Sequence, residues 1–190
     1  MRVIAGSARR INLVTPAGDD TRPTTDRIKE TLFNILQPYL YDARFLDLFA
    51  GSGGIGIEAL SRGAAEAVFV ERARKPLECI KENLRRTRLF PAARVIETDV
   101  YSGLNRLKGS GKFDIIFMDP PYDSDYISGV LAAIRDTDLI DEDTMIVAET
   151  DVSRDLSFIA ELGYTVDRIK KYKNNMHIFI SLSSGGENHA

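Results

Sequence analysis

From residue 44 onward, short apolar runs alternate with longer amphipathic segments. The apolar runs predict strands over residues 45–49, 67–71, 94–97, 113–118 and 145–149. The amphipathic segments predict helices over residues 55–62, 74–88 and 126–135. Strands and helices that alternate through short connections are typical of a parallel sheet with helices on both faces.

The two ends of the chain carry hairpin patterns instead. Residues 164–169 and 177–182 predict a closing hairpin, which adds antiparallel strands at one edge of the sheet. Residues 2–5 and 11–14 predict a second hairpin or arm at the start. Taken together, the patterns predict an α/β fold with a doubly wound, mostly parallel, seven-stranded sheet of the Rossmann-like kind.

An amphipathic helix is predicted between this arm and Pro38, which ends the pattern. Its apolar stripe consists of Ile28, Leu32, Ile35 and Leu36. Either Thr24 or Thr25 can cap the start of the helix, and Asp26 is favourable in its first turn. The helix therefore belongs with the arm, ahead of the alternating strands and helices.

The composition limits the class of protein. Hydrophobic residues make up 44% and charged residues 28% of the 190, which is ordinary for a globular domain. No run approaches the roughly 20 apolar residues of a membrane span, and the start is no secretory signal, so we expect a cytoplasmic protein without a membrane partner. Cys79 is the only cysteine, and His177 and His189 lie far apart, so we expect neither a disulfide nor a metal site.

The formal net charge of -3 argues against a protein that coats nucleic acid through bulk electrostatics, but it permits a local basic patch. The first thirty residues are locally basic. The candidates for contact with a nucleic acid are Arg9, Arg10, Arg22, Arg27 and Lys29. A second patch is formed by Lys170, Lys171 and Lys173. For any one of these charges taken singly, a solvated surface position is an equally good interpretation.

A glycine-rich turn follows the first predicted strand, within residues 47–56. Gly51, Gly53 and Gly56 satisfy the dinucleotide-binding pattern, and Glu71 stands where a ribose-binding acid is expected. Asp47, however, would face a pyrophosphate with a negative charge. S-adenosylmethionine has an ammonium and a sulfonium group and no phosphate, so its chemistry suits this acid better.

The residues after three strands are candidates for holding that cofactor. They are Asp47, Phe49, Ala50, Gly51, Ser52, Gly53, Glu71, Arg72, Asp99 and Val100. The glycines allow close approach of the backbone, and the helix start can meet a carboxylate. Glu71 can accept hydrogen bonds from ribose hydroxyls and Asp99 from an adenine amine, although both can also be solvated acids. A buried, unpaired Asp47 would be costly without a partner.

The strand over residues 113–118 ends in Asp119, Pro120, Pro121 and Tyr122. Prolines cannot donate to a strand ladder, so the sheet must stop there. The turn then holds a carboxylate, the backbone carbonyl of Pro120 and an aromatic ring in a small space. These groups can hold a planar heterocycle by its face and its exocyclic amine, although a merely structural turn is the alternative.

Residues 47–56 together with residues 119–122 resemble the amino-group methyltransferases, which modify exocyclic nitrogens of nucleobases or a glutamine amide. More narrowly, residues 22–27, 30–36 and 46–63 resemble the RsmD family, whose members methylate guanine N2 in small-subunit ribosomal RNA. The resemblance extends over most of the chain.

One departure from the family lies in the arm. The family usually has a Gly and then an Arg where this chain has Arg10 and Ile11. The departure concerns the details of RNA contact by the arm and leaves the cofactor chemistry unaffected.

The resemblance implies a class I S-adenosylmethionine-dependent methyltransferase that modifies the N2 amine of a guanine in 16S rRNA, without a metal. Asp119 and the Pro120 carbonyl would each accept one amine hydrogen, and Tyr122 would stack on the base. The partner would be a small subunit or its assembly intermediate, and the protein a monomer.

Three parts of the chain are expected. These are an RNA-contacting extension over residues 1–40, the catalytic domain over residues 41–183 and a disordered tail over residues 184–190. Alternatives to the whole interpretation are an amino-methyltransferase for adenine or cytosine in DNA or another RNA, a non-catalytic ribosome-assembly factor and, last, a nicotinamide-dependent oxidoreductase.

Overall fold

A seven-stranded sheet forms the centre of the protein, as seen in a computed structural model. The structure describes residues 1–16, 26–121 and 125–183. The strands are β1 Arg44–Asp47, β2 Glu66–Glu71, β3 Ala93–Glu97, β4 Ile115–Met118, β5 Met145–Asp151, β6 Tyr164–Lys171 and β7 Asn175–Leu182. The helices are α1 Asp26–Leu36, α2 Gly54–Ser61, α3 Arg74–Thr87, α4 Val100–Leu107, α5 Tyr126–Ile134 and α6 Ser157–Glu161.

The strand order is β3-β2-β1-β4-β5-β7-β6. The pairs among β1 to β5 are parallel, while β7 pairs antiparallel with both β5 and β6. This arrangement confirms the predicted doubly wound, mostly parallel sheet with a closing hairpin. The order reverses between β1 and β4, and ligands of open α/β sheets bind outside the carboxyl ends of strands at such a point.

Two helices were not predicted, and α4 shows why. Its buried residues Val100, Gly103, Leu104 and Leu107 share one face, and the Asp99 side chain caps the helix by accepting from the amides of Tyr101 and Ser102. Gly103 is required by packing, because a Cβ there would lie 2.7 Å from Cγ1 of Val70. The sequence therefore contains a capped amphipathic helix that was not recognised.

The N-terminal arm has less strand pairing than the two-stranded hairpin that the sequence predicts. Its single described bridge joins Arg2 and Asn12, and the amide of Val3 donates to the Ile11 carbonyl at 2.9 Å. The predicted caps Thr24 and Thr25 and the tail over residues 184–190 lie outside the described residues.

Two apolar cores cover the two faces of the sheet. One core joins the arm, α1, α2 and α3 to the strand face that carries Phe45, Phe117 and Phe179. The other packs α4, α5 and α6 against the opposite face. The first core contains side chains from both sides of the predicted domain boundary between residues 40 and 41. That boundary stays a prediction. Among the described residues, none of the helices has the length and apolar character needed to cross a membrane.

Candidate active site

The glycine-rich turn after β1 is anchored to both neighbouring strands. The amide of Leu48 donates to the Phe117 carbonyl at 3.0 Å, and the amide of Ala50 donates to the Val70 carbonyl at 3.1 Å. Gly51 and Gly53 have φ values of 53° and 80°, which lie in the left-handed region that favours glycine. The turn therefore presents bare backbone at the switch point of the sheet.

Asp47 lies beneath this turn and is only 1% exposed. Its Oδ2 accepts a hydrogen bond from the amide of Gly56 at 3.2 Å, while its buried Oδ1 has no hydrogen-bond partner among the described residues. Burial raises the pKa of this carboxyl to about 7, and the charge of Glu71 acts in the same direction. A buried acceptor without a donor is costly, so the site fits a ligand that brings a cationic donor.

Glu71 is a hydrogen-bonded part of the turn. Its Oε2 accepts from the amide of Gly51 at 2.9 Å. Its Oε1 accepts from the amides of Arg72 and Ala73 at 2.8 and 2.7 Å. A carboxylate has about four acceptor positions, so capacity remains for a ribose hydroxyl. The interpretation of Glu71 as an acid that only meets solvent is therefore wrong, while its contact with ribose stays a prediction.

Asp99 is the N-cap of α4. Its Oδ1 accepts from the amides of Tyr101 and Ser102 at 3.1 Å each. These hydrogen bonds, led by that from Ser102, lower the pKa of the carboxyl. Asp99 therefore has a local structural role, and its predicted contact with an adenine amine stays a prediction. Val100 follows it and is buried.

An aromatic cluster near the glycine turn was missed in the sequence. The rings of Phe49 and Tyr126 meet edge to face at 5.3 Å between centroids, and those of Tyr101 and Tyr126 lie 6.1 Å apart. Gly129 leaves room for the cluster, because a Cβ there would lie 2.2 Å from the Tyr101 hydroxyl. The three rings come from the loop after β1, from α4 and from α5, so no local pattern relates them.

Asp119 follows β4, the strand beside β1, and is half-buried. Burial raises the pKa of its carboxyl well above the usual range, and the nearby charges of Glu149 and Asp47 reinforce the shift. Pro120 is buried and Pro121 exposed. Tyr122 lies outside the described residues. The structure thus brings Asp119 close enough to Asp47 for their charges to interact.

The candidate RNA-contacting residues of the arm and of α1 divide into two groups. Arg9, Arg10 and Arg27 are exposed and border a cavity of about 490 Å³ between the arm and α1. Lys29 was expected to contact RNA, and this prediction is wrong. Its side chain is fully buried, donates to the Arg2 carbonyl at 2.6 Å and pairs with Glu58 at 3.2 Å. Arg22 lies outside the described residues.

Glu58 explains why Lys29 turns inward. Its carboxylate accepts from the amides of Ile4 and Ala5 at 2.8 and 3.0 Å and also pairs with Arg62 at 2.8 Å. Two cations and two backbone donors therefore surround one buried acid. This cluster fixes the arm on α2, and no local pattern relates residues so far apart in sequence.

Asn83 is a second buried residue that sequence reasoning missed. Its Oδ1 accepts from the amide of Val14 at 2.8 Å. Its Nδ2 donates to the carbonyls of Val14 and Ser52 at 2.9 Å each. One side chain of α3 therefore joins the arm to the glycine-rich turn.

Sequence comparisons find similar proteins among ribosomal RNA methyltransferases. The chain is 38% identical over 156 residues to the ribosomal RNA small subunit methyltransferase D of Escherichia coli K12, covering 82% of this chain and 77% of the relative. It is 34% identical over 157 residues to the protein of the same name from Haemophilus influenzae, covering 82% and 81%.

Solved structures give the same result for the fold. The structure of Escherichia coli yhhF superposes with a TM-score of 0.83 at 33% identity, covering 96% of this chain and 98% of that one. SMU.776, solved in complex with SAH, has a TM-score of 0.68 at 14% identity, covering 81% of this chain and 49% of that one. At that identity the second likeness shows the fold alone.

A family described as Conserved hypothetical protein 95 matches residues 1–180. This match covers the arm, α1 and all the strand ends discussed above. With the two relatives, it confirms the resemblance to the RsmD family, and the chain belongs to that family of methyltransferases.

Proposed function

We propose that this protein transfers a methyl group from S-adenosyl-L-methionine to the exocyclic N2 amine of a guanine in 16S rRNA. The observation that carries the proposal is the placement of a buried, half-satisfied Asp47 and of Asp119 on neighbouring strands at the switch point. The names of the relatives support ribosomal RNA of the small subunit as the substrate.

The residues around the glycine-rich turn suit the cofactor. The free oxygen of Asp47 can accept from an ammonium group, Glu71 can accept from ribose, and the rings of Phe49 and Tyr101 can flank an aromatic base. When bound, the cofactor supplies an electrophilic methyl group and a neutral thioether as leaving group. No metal takes part in the proposed reaction.

The turn after β4 would hold and activate the amine. The Asp119 carboxylate and the Pro120 carbonyl each accept one amine hydrogen, which favours a pyramidal nitrogen with its lone pair directed at the methyl carbon. This stabilisation grows as positive charge develops on nitrogen, so it is stronger in the transition state. Tyr122 would stack on the base, a contact worth about 1–3 kcal/mol.

The cavity between the arm and α1, which is lined by four arginines and by Asp26 and Glu30, would hold the RNA backbone. Arg9, Arg10 and Arg27 border it, and Arg10 has a φ of 72°, a conformation that costs an L-residue roughly 1–2 kcal/mol. Strain of this kind is concentrated at functional positions. The target base must be unstacked to reach Asp119, so a loop or a flipped nucleotide of 16S rRNA is the expected substrate.

The cellular setting follows from this substrate. The protein would act in the cytoplasm, as a monomer, on a small ribosomal subunit or an assembly intermediate. Naked 16S rRNA and assembled subunits should therefore differ as substrates, and the assembled form is expected to be the better one.

The proposal is tested by incubating the purified protein with S-adenosylmethionine and with naked 16S rRNA, small subunits or duplex DNA. N2-methylguanosine in the small subunits, identified by nucleoside mass spectrometry, is the expected product. Asp119→Asn should reduce the rate by about 10²–10³-fold, by analogy with loss of one transition-state hydrogen bond. Methylated adenine or cytosine would replace the guanine assignment, and binding without any methyl transfer would favour an assembly factor.

A further inference from the structure

Four titratable side chains form a row across the carboxyl-end edge of the sheet. They are Asp47, Asp119, Glu149 and His177. Phe117 of β4 pairs with Val147 of β5. If this register is extended by two residues along both strands, Asp119 is opposite Glu149. Glu149 is in turn the direct partner of His177 on β7. Since side chains alternate along strands, all four lie on the face that carries Phe45, Phe117, Val147 and Phe179.

At the end of the row away from Asp47, Glu149 and His177 belong to a buried chain of hydrogen-bonded side chains. Glu149 is 4% exposed and His177 fully buried, and their Oε2 and Nε2 atoms lie 2.9 Å apart. The amide nitrogen of Asn175 donates to Oε1 of Glu149. Nδ1 of His177 lies 3.3 Å from the Tyr172 hydroxyl. Each carboxylate oxygen of Glu149 therefore has a side-chain partner, one from Asn175 and one from His177.

We propose that Glu149, fixed by His177 and Asn175, is a positioning residue for methyl transfer, because its negative charge beside Asp119 prepares that carboxylate to accept the proton of the methylated amine. The inference rests on the proposed function. In the reaction, the amine nitrogen bonds to the methyl carbon and the carbon–sulfur bond breaks with its electrons remaining on sulfur. The nitrogen–hydrogen bond then breaks, and the proton moves to Asp119 and on to solvent.

The charges around Asp119 support this role. Burial is the largest cause of the raised pKa of Asp119, and the charges of Glu149 on β5 and Asp47 on β1 disfavour its ionised form further. His177 and Tyr172 lie behind Glu149, and on the side of α5 Asp125 pairs with Arg154 at 3.7 Å. A carboxylate that is reluctant to ionise is a better proton acceptor than a solvated one.

The test is the pH dependence of the single-turnover rate at saturating cofactor and RNA. The acid limb of the wild-type profile should follow ionisation of Asp119. Glu149→Gln keeps the shape but removes the charge, so the limb should move to lower pH by about one unit. Glu149→Asp keeps the charge and should keep the wild-type limb. Thr144→Val removes a buried hydroxyl before β5 and is the control for a purely structural loss.

Each outcome decides the matter. An unmoved limb in Glu149→Gln overturns the inference, as does a loss of folding in both Glu149 variants, since Glu149 would then be purely structural. A ¹³C titration of the Asp119 carboxyl without RNA provides a readout independent of activity and should shift in the same direction. Absence of methyl transfer by the wild-type protein at every pH contradicts the proposed function instead, so the two failures are distinguishable.

Discussion

Of two buried carboxylates, Glu58 belongs to helix α2 and Asp47 is hydrogen-bonded to it, and they are satisfied in very different ways. Glu58 receives four donors from the arm, α1 and α2 itself. Asp47 receives one from the Gly56 amide to Oδ2, and its Oδ1 has no partner among the described residues. The first arrangement is complete as folded and serves to anchor the arm. The second is incomplete without a ligand, so two buried acids only eleven residues apart have opposite roles.

The largest expected effect is the loss of stability when the cluster around Glu58 is disrupted. Glu58→Gln removes the charge that compensates Lys29 and Arg62, so the free energy of unfolding should fall by about 3–5 kcal/mol, as expected when one partner of a buried pair is lost. Denaturant unfolding measures it. The matched control is Glu66→Gln, whose pair with Arg44 is partly exposed and should be worth about 0–1 kcal/mol. Equal losses in the two variants would contradict the assignment of Glu58 as the anchor.

Asp47 should make the free energy of unfolding decrease as pH rises. A carboxylate in an ordinary ion pair has the opposite effect. The pKa of Asp47 is raised from 3.8 to about 7, so between these values the folded state binds more protons than the unfolded state. The free energy of unfolding therefore falls as pH rises through this window, by about 4 kcal/mol in total. Unfolding curves of wild type and Asp47→Asn measured from pH 4 to pH 8 test this. A difference between them that does not vary with pH would rule it out.

The affinity for the cofactor should also distinguish Asp47 from Glu58. Asp47→Asn removes the acceptor expected to meet the cofactor ammonium, so the affinity for S-adenosylmethionine should fall by about 10- to 100-fold. Stability of the free protein at pH 7 should not fall, because a costly charge is lost. Calorimetric titration measures the affinity, with S-adenosylhomocysteine as a second ligand. Unchanged affinity would mean that the free oxygen of Asp47 has another purpose.

The smallest expected effect concerns the outer end of the arm that Glu58 anchors. Arg10→Gly should stabilise the protein by about 1 kcal/mol, because glycine tolerates the φ of 72°. The same change should weaken binding to 16S rRNA and lower the salt slope of the binding constant by about 1. Arg10→Asn, which also tolerates this conformation, is the control. Stabilisation without any loss of RNA affinity would leave the strain at Arg10 unexplained.

The sequence predicted the sheet because strands and helices that alternate through short loops leave few possible topologies. It also predicted the glycine-rich turn, since the required φ values restrict the residues. It failed at Lys29, because the apolar stripe of α1 gives no sign that Glu58 lies behind it. It failed at Asn83 and at the three clustered rings for the same reason. These contacts join elements far apart in the chain, and only the folded structure brings them together.

Asn83 links the two proposed binding regions, since its amide nitrogen donates to the carbonyl of Val14 in the arm and to that of Ser52 in the glycine-rich turn. The Asn83 side chain is therefore one route by which a displacement of the arm by RNA would reach the turn. Thermodynamic reciprocity then requires that RNA change the affinity for the cofactor by the same factor as the cofactor changes the affinity for RNA. A favourable coupling would mean that each ligand binds more tightly when the other is already bound.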